Sequence, residues 1–177
     1  MLAFDARLDL NWTGTDATWL QGASNVTPSG VGRYQRVQLD WQNPDTGYTE
    51  VVLASLVKNT SGVTIAQYDL AQYASGSRIN IFESTTLSTN RNKIAGVVAS
   101  SDGLPDGYWG WVVVRGNFKG LGGGAGCTAN TLVMSHGDDG AIIDNGLASV
   151  AEGAAVLGLA LATFAGAATG YVAWDIP

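Results

Sequence analysis

One stretch, Gly107-Tyr-Trp-Gly-Trp-Val-Val-Val-Arg-Gly-Asn-Phe-Lys119, constrains the fold of this chain more than any other. Read with a period of two, Trp109, Trp111, Val113 and Arg115 fall on one face, and Gly110, Val112, Val114 and Gly116 on the other. Side chains alternate across a strand, and β-branched and aromatic residues pack well on a pleated surface, so the spacing predicts a strand. Asp106-Gly107 supplies a tight turn in front of it, and the glycine run from Gly120 ends the regular structure behind it. None of these residues carries chemistry. The strongest element of the chain builds a surface.

Other strands are predicted at close spacing around it. Arg33 to Trp41 alternates cleanly, with Val37, Leu39 and Trp41 on one face, and Asn43-Pro44-Asp45-Thr46-Gly47 is a turn. Val51 to Lys58, Val63 to Tyr73, Arg78 to Ser84, Lys93 to Ser100, Thr131 to Ser135 and Ala141 to Asp144 follow, bounded by Gly, Asn, Ser and Asp clusters. Short strands punctuated in this way predict an all-β domain, a small antiparallel β-barrel or sandwich.

The first 50 residues differ in texture. Thr13 to Gly32 is rich in Gly, Ser, Thr and Asn and carries the lone large side chains Trp19 and Leu20 after Trp12. Such a segment buries little by itself, yet its tryptophans favour burial. Two readings stand side by side: an extended N-terminal arm (1–50) lying across a partner beside a β-barrel domain (51–177), or a loop-rich start to the same domain. The arm reading makes Phe4, Trp12, Trp19 and Leu20 the candidate interface residues, because anchor aromatics dominate interface energy.

Gly153 to Trp174 holds no charged residue, so a membrane helix and a buried helix are both weighed. Ala, Gly and Thr dilute its apolarity, and no Lys or Arg flanks it. Leu157, Leu159 and Leu161 alternate with small residues, and Ala165 to Gly170 reads as a turn into Tyr171 to Ile176. A closing two-strand hairpin is the expectation, its small-residue face allowing close approach by another sheet or a neighbouring subunit.

Composition narrows the function. At 177 residues the chain can bury about 70% of its unfolded surface without a staple. Cys127 is the only cysteine, so no intrachain disulfide forms, and no basic, apolar leader opens the chain, so no secretion signal is expected. The glycosylation triplets at Asn11, Asn25 and Asn59 are then read as accidental. Formal net charge is −6, and no Lys or Arg follows Lys119, so the basic face that a nucleic-acid binder needs is missing.

The candidate chemistries are thin. Gly120-Leu-Gly-Gly-Gly-Ala-Gly126 resembles a phosphate loop, but a strand-like run follows where that fingerprint needs a helix. His136 with Asp138 and Asp139 offers too few ligands for a metal, and as the only histidine it is also the only base for Cys127. Tyr108, Trp109 and Trp111 form a sugar-stacking platform only if exposed, and core packing is the commoner use. No cofactor or metal is expected, and the chain reads as a non-enzyme.

Asn59-Thr-Ser-Gly-Val-Thr-Ile-Ala-Gln-Tyr-Asp69, Lys93-Ile-Ala-Gly-Val-Val98 and Gly107-Tyr-Trp-Gly-Trp-Val-Val-Val-Arg-Gly116 carry a family resemblance. In that order they resemble the small capsid decoration (cement) proteins of tailed bacteriophages, over about residues 50–177. The resemblance implies a β-barrel or sandwich made in the host cytoplasm and seated on the outer surface of the icosahedral shell. It also implies an oligomer, commonly a homotrimer, that binds the major capsid protein and stabilises the head. A carbohydrate-binding or head-fibre adhesion module is the alternative reading. The resemblance does not reach the first 50 residues.

Overall fold

The computed structural model describes residues 9–15, 36–77, 79–83, 93–136, 140–144 and 156–176. Among them lie eleven strands and no α-helix: β1 (Thr13–Gly14), β2 (Arg36–Gln42), β3 (Thr49–Asn59), β4 (Leu70–Tyr73), β5 (Asn80–Glu83), β6 (Ile94–Val98), β7 (Trp109–Leu121), β8 (Leu132–Ser135), β9 (Ile142–Asp144), β10 (Gly158–Ala160) and β11 (Thr169–Asp175). The all-β expectation holds. The strands form one sheet ordered β2-β3-β5-β4-β6-β7-β11-β10-β8-β9, with β1 added to β7.

A further pairing of β3 with β7 closes part of that sheet into a ring of β3, β5, β4, β6 and β7. One of its short seams is the parallel β3–β5 contact, Lys58 opposite Asn80 and Asn59 opposite Ile81. Every strand of the ring contributes to one apolar cluster: Val57, Ala71, Tyr73, Ile81, Ala95, Val98 and Val112, joined by Ile65 and Leu104 from the loops. On the other side of β7 the path β11-β10-β8-β9 curls back until Ile142 bridges Gly122, just beyond the end of β7. Trp111, Phe118, Val133, Ile142, Leu157, Val172, Trp174 and Ile176 fill this second, larger core together with Leu39, Val52 and Leu56. Burying one such side chain stabilises by roughly 1.5–3 kcal/mol.

β6 and the first half of β7 lie between the two cores and are buried on both faces. That position explains their unbroken apolar runs, which a half-solvated strand would not show. The alternation read for Gly107 to Lys119 holds only as far as Val113. Across β3, Leu53 pairs with Arg115 and Ala54 with Val113, so Val114 bulges without a partner. Trp111 and Val113 face the larger core, but beyond the bulge Val114 and Phe118 do so, and Val114 does not share Val112's cluster. One extra residue moves the core face from odd to even positions, and the strand runs on to Leu121.

Two other expectations change. The predicted strand Val63 to Tyr73 survives only as β4, because Tyr68 takes a left-handed backbone conformation that breaks the extended chain. The arm boundary at residue 50 falls inside a hairpin: β2 pairs along its full length with β3, from Arg36 opposite Ser55 to Gln42 opposite Thr49. Residues 36–50 therefore belong to the sheet. Val37, Leu39 and Trp41 face the core as their alternation predicts. Leu10 is also buried in the larger core, and Thr13 and Gly14 pair with Gly110 and Trp109.

The carboxy-terminal hairpin is present as β10 and β11. Gly158 and Ala160 of β10 are buried, and a Cβ on Gly158 would sit 2.4 Å from Ala173 O of the paired strand. No helix among the described residues is long and apolar enough to cross a membrane.

Candidate functional site

The turn between β2 and β3 gathers polar and aromatic side chains from four strands. Asn43 starts the turn and directs it. Its buried side chain accepts hydrogen bonds at Oδ1 from Asp45 N at 2.9 Å and Thr46 N at 3.3 Å, and Nδ2 donates to Glu50 Oε1 at 2.8 Å. The backbone completes it, Gly47 N donating to Asn43 O and Asn43 N to Tyr48 O. Gly47 sits at φ +71°, a conformation that glycine takes without steric penalty.

Side chains from the neighbouring strands then fasten this turn to the sheet. Lys119 of β7 reaches Asp45, Nζ to Oδ2 2.8 Å, and lies 5.3 Å from the ring centroid of Tyr171 and 6.0 Å from that of Tyr68. The Tyr171 hydroxyl of β11, with one proton to give, stands between Asn43 Oδ1 and Asp45 Oδ2. Beneath them Trp41 meets Phe118 edge-on at 4.9 Å, and Phe118 meets Tyr68 at 5.6 Å. The electrostatics follow from these contacts. The Lys119 hydrogen bond, and then that of Tyr171, hold the Asp45 carboxyl below its ordinary range. Burial, and then the bond to Asp45, push the Tyr171 phenol up to about 12. What this arrangement does is hold a turn still. Beside the clamp, Tyr48 is 75% exposed.

The residues singled out for catalysis or ligands do not converge. Gly122, Gly123, Gly126 and Cys127 donate their amides to Ala168 O, Ile142 O, Gly123 O and Phe164 O, so these N–H groups knit two loops together and do not cradle a phosphate. Cys127 is buried with Sγ 4.0 Å from Ile142 O, and burial, then the nearby Asp144 charge, push its thiol up to about 12. His136 packs against Gly123 and Gly124. Asp138 and Asp139 lie outside the described residues, among which no cluster of three or more His, Cys, Asp or Glu is placed to hold a metal. Trp111 is fully buried and Trp109 packs against the larger core, leaving Tyr108 as the exposed member of the aromatic trio.

Of the proposed interface residues, Phe4, Trp19 and Leu20 lie outside the described residues. Trp12 is half-buried against the larger core, its indole under Gly14. Asn59 is excluded as a glycan acceptor in the folded chain, since its buried Nδ2 donates to both Val63 O and Leu104 O at 2.7 Å. Lys119, Tyr171 and Tyr48 were not identifiable as members of one site from sequence. The nearest signal is Asn43 to Gly47, a strong turn followed at once by an aromatic residue.

The chain is similar in structure to the head fiber gp8.5 N base of bacteriophage phi29, with a TM-score of 0.49 and 14% sequence identity, over 69% of this chain and 92% of that one. No family model and no curated protein sequence matches it.

Proposed function

We propose that the chain is a non-enzymatic structural protein of a tailed-phage head, which binds the outer surface of the icosahedral shell as an oligomer and stabilises it. One observation carries this reading: the three segments that resemble decoration proteins are neighbours in space. Residues 59–69 lead into β4, residues 93–98 contain β6 and residues 107–116 contain the first half of β7, and β4, β6 and β7 are consecutive in the sheet. A shared folded unit gathers its matching segments on one wall, whereas chance matches of glycine-punctuated strands scatter. The major capsid protein is the proposed partner and a homotrimer the proposed assembly. Repetition over a lattice makes weak single contacts effective, because each further attachment is intramolecular.

The test is the mass of the purified chain by light scattering, followed by co-sedimentation with empty heads. A trimer that pellets saturably supports the reading, and a monomer that stays in the supernatant at every concentration overturns it. The arm is tested separately by deleting residues 1–8. A longer deletion would also remove Leu10 from the core and Asn11, whose Oδ1 accepts a hydrogen bond from Ser101 N. Weaker pelleting with an unchanged melting temperature assigns a contact to Phe4's segment, and unchanged pelleting removes it.

A further inference from the structure

We infer that the outer face of strands β8, β10 and β11 is the contact between copies of this chain, an uncharged apolar surface that meets the same surface of its neighbours. The inference rests on the proposed oligomeric role and names the surface that the copies share.

Cross-strand register assembles this face. Leu132 of β8 stands opposite Leu159 of β10, Leu159 opposite Ala173 of β11, and Ala173 opposite Asn117 of β7. The residues beside them, Val133, Gly158, Ala160, Val172 and Trp174, are buried on the inner side, so alternation fixes which way the row points. Leu161, one step beyond β10, keeps the register, its amide donating to Tyr171 O at 2.8 Å. It therefore lies on the side of Leu159 and diagonal to Leu132, about 7–8 Å away. Leu132 and Leu161 are 38% and 42% exposed. On the other flank of Leu132, Met134 stands opposite Ile143, both half-buried. A single exposed leucine is ordinary, but two diagonal leucines on a continuous apolar row make a patch.

Charge selects the occupant. From Val156 to Trp174 there is no charged residue. Asp175 and Lys119, at the edges of the face, are both engaged within the chain. Asp175 accepts from Arg115 at 2.6 Å, and Lys119 holds Asp45 at 2.8 Å. Asp144 lies opposite Val133 on the inward-pointing row, where its Oδ2 accepts from Thr128 N. A partner chosen by charge would find nothing here to pair with. A second copy meets the opposite situation. At net charge −6 two copies repel each other through most of their surface, and this face brings no uncompensated carboxylate into contact. Interfaces between identical subunits are the more apolar kind, with charge depleted from their centres.

The test is light scattering of the full-length chain over a concentration series at low and high salt, for wild type, Leu132→Asp, Leu161→Asp and Val63→Asp. Val63 is also exposed, but it lies between β3 and β4 in the ring, so its variant adds the same charge away from the face. Wild type should assemble, and more tightly at high salt, because salt screens the repulsion between acidic copies. Leu132→Asp and Leu161→Asp should each weaken assembly about tenfold or more, since a carboxylate buried there finds no partner. Val63→Asp should assemble as wild type. The wild-type melting temperature should rise with concentration, and that of Leu132→Asp should not. Circular dichroism should be unchanged in both leucine variants; if Leu132→Asp misfolds, Leu161→Asp, outside the strands, carries the test. A monomeric wild type overturns the contact. So do assembly that weakens with salt, wild-type assembly in a folded leucine variant, and an equal loss in Val63→Asp. Co-sedimentation with empty heads separates the two readings: oligomers that never pellet overturn the head-binding role and leave this contact standing.

Discussion

Lys119 Nζ lies 2.8 Å from Asp45 Oδ2, and through that contact a side chain of β7 holds the tip of the β2–β3 hairpin against the sheet. The ammonium also faces the rings of Tyr171 and Tyr68, so one cation serves an ion pair and two aromatic faces. Replacing it by methionine keeps much of the apolar stem and removes the charge. Because Asp45 is half exposed, solvent screens the pair and the global effect of Lys119→Met should be small. The local effect should be larger. Amide exchange at Asn43 and Gly47, which close the turn, should speed up while the buried amides of β6 keep their wild-type rates. Acid should act in the same direction. The folded state favours the Asp45 carboxylate, so its contribution is present above the ordinary value of 3.8 and is lost as pH falls through the lower folded value. Protection of the Gly47 amide, its exchange rate taken relative to the intrinsic rate at each pH, should therefore fall in acid for wild type and show less acid dependence in Asp45→Asn. A wild-type turn indifferent to acid would remove Asp45 from the clamp.

Tyr171 gives the opposite limb. Burial and the neighbouring Asp45 favour its neutral phenol, so folding holds the proton up to about 12. Stability from this group is present below the ordinary phenol value of 10.0 and falls as pH rises from there through the folded value. Titrating phenolate absorbance should show late-ionising tyrosines, Tyr68 among them because burial raises it too, and Tyr171→Phe should remove part of that late step. The same variant should weaken the turn at neutral pH, since the one hydroxyl proton that stands between Asn43 Oδ1 and Asp45 Oδ2 is lost.

Much of this architecture was legible in the residue pattern, and the misses share a cause. The alternation of β3 and β7, the Asn43 turn and the closing hairpin are each written in neighbouring residues, and alternation with turn chemistry reports those. The bulge at Val114 has no local signature, because valine suits either side of it. What decides it is the register of β3 more than fifty residues away in sequence, where Leu53 meets Arg115 and Ala54 meets Val113. The ring closure by Lys58 and Asn80 is equally non-local in origin. So is the clamp, since Tyr171 and Asn43 are 128 residues apart. A boundary at residue 50 follows from the polar run before Gly32, which sets the texture of the whole segment. The clean alternation of Val37, Leu39 and Trp41 is the better guide, because it reports the face that these residues turn to the core.

Cys127 makes a sharper chemical prediction. A thiolate is the reactive form, and burial against Ile142 O with Asp144 nearby keeps this thiol protonated at neutral pH. The native chain should react negligibly with a maleimide at neutral pH, and the denatured chain should take up one equivalent, its single cysteine. Rapid labelling of the native chain would show that the loops around Cys127 open, contrary to the hydrogen bonds that Cys127 N and O exchange with Phe164.

Those loops depend on missing side chains more than on present ones. Gly126 takes φ +84°, and a Cβ there would lie 2.1 Å from Phe164 O and 2.5 Å from Ala165 C, both backbone atoms that no rotamer change can move. Gly107 takes nearly the same conformation, φ +77°, with nothing within 4 Å of its would-be Cβ. The pair separates two penalties that are usually confounded. Gly107→Ala bears the conformational one alone and should destabilise by about 1 kcal/mol. Gly126→Ala adds a backbone collision that must displace the 164–168 loop, with its bridge to Cys127, and should destabilise by about 3 kcal/mol or more. For a chain of this length that difference is a melting temperature lower by about 4–8 °C in Gly126→Ala than in Gly107→Ala. Thermal melts of the two variants measure it directly. Equal melting temperatures would mean that the two loops are not in the close contact from which the second core is built.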